Sequence, residues 1–137
     1  MTPENRAIAI AEELDKSAEE LAAARTLRDA GIIRPAVTRV YYAAFHAARA
    51  LLFAEGLEPR THSGVQHLLN LHFFRQGRLE ARWNRVLARL QKFREKADYA
   101  TVFVIERDGL DEELAEAESF VERARRLLSE LGFPPTS

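Results

Sequence analysis

Cysteine is absent from the 137 residues, which removes disulfides, thiol nucleophiles and cysteine-ligated metal from consideration. Long apolar runs are missing too. The apolar, uncharged stretch Val40 to Ala48 falls far short of the roughly twenty residues that a membrane span requires. Net charge is almost nil at −1, so any contact with nucleic acid or an anionic membrane must be local. The opening "MTPENRAIAIAEELDK" carries acids where a secretory signal needs a basic start and a continuous apolar segment, so a cytoplasmic location is expected. Glycine-rich phosphate loops, nucleophile elbows and zinc-protease motifs do not occur. Histidine is confined to His46, His62, His67 and His72, with none further along.

What is present is helix pattern. Thr2 and Pro3 suit a helix start, and Ile8, Ala11, Leu14, Ala18, Leu21 and Ala22 repeat every three or four residues toward Gly31. Pro35 opens a second segment whose stripe runs through Val37, Val40, Tyr41, Ala44, Ala48, Leu51 and Leu52 to Gly56. Its other side is apolar as well, through Tyr42, Phe45 and Phe53, so it is expected to be central or to meet a partner. Ser63 with Gln66 reads as a capping box before a short third helix ending near Gly77. The stretch "RLEARWNRVLARLQKFREKADY", Arg78 to Tyr99, is the fourth. "YATVFVI" is rich in β-branched residues but has no partner strand, so it reads as an extended connection or continued helix. Asp108 or Asp111 is expected to cap the last helix, with its stripe from Leu114 to Leu131. The whole predicts an all-α, up-and-down antiparallel bundle of four main helices and one short one. It is read as one domain over residues 1–131, with 132–137 as a fraying tail.

Charge is unevenly placed. From Arg75 to Lys96 there are eight Lys and Arg against two Glu, a local +6, and from Glu106 to Glu130 nine acids against four bases, a local −5. Arg78, Arg82, Arg85, Arg89 and Lys92 lie along one helical line. This admits two readings: the basic line holds the acidic fifth helix, or it contacts phosphates or an acidic partner. Among the histidines, His67 and His72 are five apart and turn away from each other, so neither metal nor cofactor is expected. Arg39 and His46, seven apart, share a face beside Tyr42. Arg94, Asp98 and Tyr99 form either a polar site or a local ion pair with a packed ring.

Three stretches, "TRVYYAAFHAARALL" (Thr38 to Leu52), "THSGV" (Thr61 to Val65) and "REKADY" (Arg94 to Tyr99), in this order, resemble the HEPN domain in its small stand-alone prokaryotic form. The resemblance implies a helical bundle that forms homodimers, for which Tyr42, Phe45 and Phe53 are the candidate interface. It also implies a minimal nucleotidyltransferase as partner in a toxin–antitoxin pair. Active HEPN toxins are metal-independent ribonucleases with an arginine followed, four to six residues on, by histidine. Here Arg94 holds the arginine position and Tyr99 stands where the shortest form of the motif has histidine. A phenol with an ordinary pKa of about 10 is a poor base at neutral pH. The expectation is therefore a non-catalytic or weakly active binding module, with RNA or nucleotide contact along the fourth helix. A ribonuclease toxin and a purely structural bundle are the alternatives.

Overall fold

A computed structural model describes residues 1–102 and 105–134. It is all helix: α1 (Pro3–Asp29), α2 (Ile33–Ala54), α3 (His62–Leu69), a π-helical turn (Asn70–Phe74), α4 (Ala81–Tyr99) and α5 (Arg107–Glu130). No strand occurs among the described residues.

The chain reverses between helices at glycine. Gly31 (φ +77°) follows α1 and Gly56 (φ +78°) follows α2, both in the left-handed region that side chains rarely enter. Thr2 caps α1 by accepting from the Asn5 N–H at 3.1 Å. The second helix begins two residues before Pro35, whose missing N–H costs nothing in the first turn.

The polar contacts between α1 and α2 give the register. Arg6 donates to Ala54 O (3.2 Å), Glu13 meets His46 and Arg49, Ser17 Oγ donates to Ala43 O (2.7 Å) and Arg39 meets Glu20 (3.0 Å). Each advance along α1 is matched by a similar retreat along α2, so the helices are antiparallel. At and beside these rungs lie Ala36, Ala43, Ala47, Ala50 and Ala54, all buried, small enough for close packing. The stripe expected on α1 is shifted. Ile8 is 58% exposed, whereas Glu13 and Ser17 face inward with Ile10, Leu14 and Leu21. Two polar rungs displace apolar positions, Glu13 satisfied by donors on α2 and Ser17 by donating to an α2 carbonyl.

The central place of α2 accounts for its two apolar sides, since it packs on α1, α3, α4 and α5. Leu51, Leu52, Phe120, Leu110 and Leu114 are fully buried around it, each side chain worth about 1.5–3 kcal/mol of apolar burial. The pairing of α4 with α5 is also antiparallel, with Trp83 beside Phe120 (ring centroids 5.8 Å apart) and Arg89 reaching back to Glu113.

Three helix starts differ from expectation. Thr61 caps α3 by accepting from Gly64 N–H (3.0 Å), while Ser63 lies within the helix and Gln66 bonds Gln91 on α4. The fourth helix starts at Ala81 rather than Arg78, because Gly77 (φ +71°) turns the chain and Glu80 is extended, accepting from Trp83 Nε1 (3.0 Å). The fifth starts at Arg107 with no side-chain cap; Asp108 sits in its first turn and Asp111 pairs with Arg28 (3.3 Å) instead. Ala100 leaves α4 extended; of the β-branched connection, Phe103 and Val104 lie outside the described residues. Beyond Glu130 the Phe133 N–H donates to Leu128 O (2.8 Å) and its ring packs against the core.

Candidate functional site

The Arg94 side chain is turned inward from α4 and only 8% exposed. Its Nη1 donates to Asp98 Oδ2 at 3.3 Å, one helical turn on, and Asp98 Oδ1 accepts from Thr38 Oγ1 on α2 at 2.8 Å. The guanidinium lies 5.4 Å from the Tyr41 ring centroid and 6.0 Å from that of Tyr42, within cation–π range. Its Nε is buried with no hydrogen-bond partner among the described residues. A buried donor left unpaired is costly in a core and common at a site that receives a ligand.

On the far side of Tyr41 lies His62, the first residue of α3. Tyr41 Oη and His62 Nδ1 are 2.7 Å apart, and the imidazole sits 4.8 Å from the Phe45 ring and 5.7 Å from Tyr42. Burial pushes the Tyr41 phenol up to about 12, so it keeps its proton. Burial, with the Arg94 charge added, pushes His62 below the ordinary histidine value, so its neutral form is favoured. A fixed cation, a protonated phenol and a neutral imidazole thus meet across α2, α3 and α4. Such a group can bind a phosphate ester and, through His62, accept a proton.

Sequence reasoning placed Arg94 and Asp98 here but not Thr38, Tyr41 or His62. The signal was there in another form: each of the three family-like stretches contributes a side chain. Tyr99, the third residue proposed for this site, is 78% exposed at the end of α4 and is not a ring packed at a helix end.

The basic line of α4 is divided. Arg78 pairs with Glu55, donates to His72 O (3.1 Å) and lies over Phe73 (4.4 Å). Arg82 pairs with Glu116 (3.2 Å) and covers Trp83 (4.1 Å). Arg89 takes both oxygens of Glu113 (3.0 and 3.2 Å), and Arg123 returns the contact to Glu80 (3.1 Å). Burial raises the Glu113 carboxyl despite Arg89. These residues clamp α4 to its neighbours. Arg85 and Lys92 are exposed and form no ion pair among the described residues.

Of the candidate interface residues, Tyr42 and Phe45 are half-buried and lie against the rings of His46 and His62, whereas Phe53 is buried under the Arg49 guanidinium (4.9 Å). Arg39 and His46 share a face but serve separate carboxylates, Glu20 and Glu13. Among the described residues no three His, Asp or Glu converge as a metal site, and no helix is long and apolar enough to cross a membrane.

The chain as a sequence has clear relatives. The HEPN domain model matches residues 10–132. Over 113 residues the chain is 38% identical to "Putative toxin MJ0605" of Methanocaldococcus jannaschii, covering 82% of this chain and 84% of that one. It is 43% identical over 75 residues to "UPF0332 protein PH1297" of Pyrococcus horikoshii (52% and 53% covered). To "UPF0332 protein glr0978" of Gloeobacter violaceus it is 36% identical over 99 residues (72% and 75% covered). The chain belongs to the HEPN domain family.

Proposed function

We propose that this chain is the toxin-type member of a HEPN pair, a cytoplasmic homodimer that engages RNA at Arg94 and is held in check by a nucleotidyltransferase-type partner. The observation that carries the RNA reading is the linked run of contacts Thr38–Asp98–Arg94–Tyr41–His62, from three sequence stretches that the fold brings together. The toxin name of one relative supports the pairing, and the half-exposed Tyr42 and Phe45 support the dimer. Binding is favoured over turnover because α4 carries no histidine after Arg94. A second reading, ribonuclease activity, is favoured by one observation: His62, held against Tyr41 near Arg94, is an imidazole in the neutral form that a general base requires.

The test is an RNA assay at low salt with EDTA, scoring gel shift and cleavage together for the wild type, Arg94→Ala, Arg94→Lys and His62→Gln, with circular dichroism to establish folding. The expected result is a shift without appreciable cleavage, lost in Arg94→Ala and weakened in Arg94→Lys. Cleavage abolished by both Arg94→Ala and His62→Gln would replace the binding reading with the ribonuclease one. An unaltered shift in folded Arg94 variants would remove Arg94 from the site.

A further inference from the structure

Tyrosine rings are usually at least half covered, yet Tyr99 projects into solvent, and two turns of α4 on its N-terminal side are free of the clamp that ties Arg78, Arg82 and Arg89 down. Lys92, Lys96 and Tyr99 succeed one another at four and three residues, hence on one face, and with Ala100 they line an open concavity of about 550 Å³. Lys92 and Lys96 form no ion pair with any described residue, nor does Arg85, a further two turns back. Glu95 also borders the concavity and accepts from Gln91 Nε2 at 3.3 Å. Three free cations therefore face one carboxylate. Tyr99 directly follows Asp98, the carboxylate that pairs with Arg94, so this face runs up to the Arg94 site.

We propose that the Arg85–Lys92–Lys96 face is a track for a single-stranded polynucleotide, with Tyr99 as the platform on which the base next to the Arg94 site stacks. The inference rests on the RNA reading of the Arg94 site and adds the class of RNA. An aromatic ring offered to solvent takes the π-face of an unpaired base, and sequence matters little because every base has one. A duplex keeps its bases stacked on each other and offers Tyr99 nothing. The cations neutralise backbone phosphates along roughly 16 Å of helix. Arg82 and Arg89 sit outside this track because their charge is already spent on α5.

Binding is measured by fluorescence anisotropy with a short labelled RNA strand, the same strand carrying abasic sites, and its blunt duplex. Tyr99 is so exposed that Tyr99→Ala is expected to fold, which a melting curve checks. The intact single strand should bind at least about tenfold more tightly than the duplex or the abasic strand, and Tyr99→Ala should weaken it by about tenfold. Tyr99→Trp should restore it. Lys92→Gln with Lys96→Gln should flatten the dependence on salt by about 0.7 per charge removed. Equal binding by Tyr99→Ala and wild type, or equal affinity for duplex and single strand, overturns the track. If Arg94→Lys then still weakens binding, the Arg94 reading stands alone. If the wild type binds no RNA, both fall. Competition by an acidic polypeptide that is indifferent to Tyr99→Ala identifies the face as a protein-docking surface and overturns the proposal.

Discussion

Replacing Glu13 by glutamine tests whether the buried rung between α1 and α2 stabilises the fold. Glu13 is 2% exposed and receives His46 Nδ1 at 2.7 Å, Arg49 Nη1 at 3.0 Å and Lys16 Nζ at 3.3 Å. Lys16 is half exposed and contributes little. The other two are hydrogen bonds to a carboxylate, worth about 1.5–3 kcal/mol each. Glutamine keeps the shape and one acceptor, and it is cheaper to bury than a charge. Arg49 is not orphaned, because it retains Pro59 O at 2.9 Å and the Phe53 ring. The net loss should be about 2 kcal/mol, a fall in Tm of about 6 °C for a chain of this size. Burial alone would raise the Glu13 carboxyl, but the His46 hydrogen bond and the charges of His46, Arg49 and Lys16 together hold it below its ordinary value. Its stabilisation is therefore present above the ordinary carboxylate range and lost as pH falls through the lowered value. The gap between wild type and Glu13→Gln, read by thermal and urea unfolding, should be full at neutral pH and narrow in acid. A neutral-pH difference below about 0.5 kcal/mol, or a gap that widens in acid, refutes the reasoning.

Gly64→Ala should destabilise α3 although alanine is the better helix former, because the added Cβ would lie 2.9 Å from Thr61 Oγ1, the capping atom. A loss of about 1 kcal/mol is expected in thermal unfolding, matched by Thr61→Ala; a neutral or stabilised Gly64→Ala would show that the cap is dispensable. His62 is held below its unfolded value of about 6.5 by burial and by Arg94, so its contribution is present above that pH and lost as the pH falls below it. The Tm of wild type should therefore drop more steeply between neutral and mildly acidic pH than that of His62→Gln, and parallel curves would contradict this.

The helices were legible because their periodicity and glycine punctuation are local properties, and their predicted starts lie within a few residues of the observed ones. The opposition of basic α4 and acidic α5 was legible for the same reason, since Arg82–Glu116 and Arg89–Glu113 only require the two helices to be antiparallel neighbours. Arg94 with Asp98 is a pair four residues apart and needs no tertiary knowledge at all. Tyr41 and His62 were not legible, because their meeting depends on how the loop after α2 returns α3 to the middle of that helix. Glu13 and Ser17 were hidden for a different reason: a polar residue on a helix reads as solvent-facing until its partner across the interface is known. The same holds for Phe53, whose cover is the stem and guanidinium of an arginine.

The π turn at Asn70–Phe74 has a consequence for how this chain can change over evolutionary time. Arg75 N–H reaches back five residues to Asn70 O (2.9 Å), so this stretch holds one residue more than an α-helical ladder would. Deleting that residue would restore the simpler helix but rotate the downstream chain by about 100° relative to α3. Phe73, wholly buried, and Arg78, tied to Glu55 and the His72 carbonyl, could not then both keep their places. The segment can accept new side chains at exposed Leu71 or Gln76, whereas a single-codon deletion there would disconnect α3 from α4.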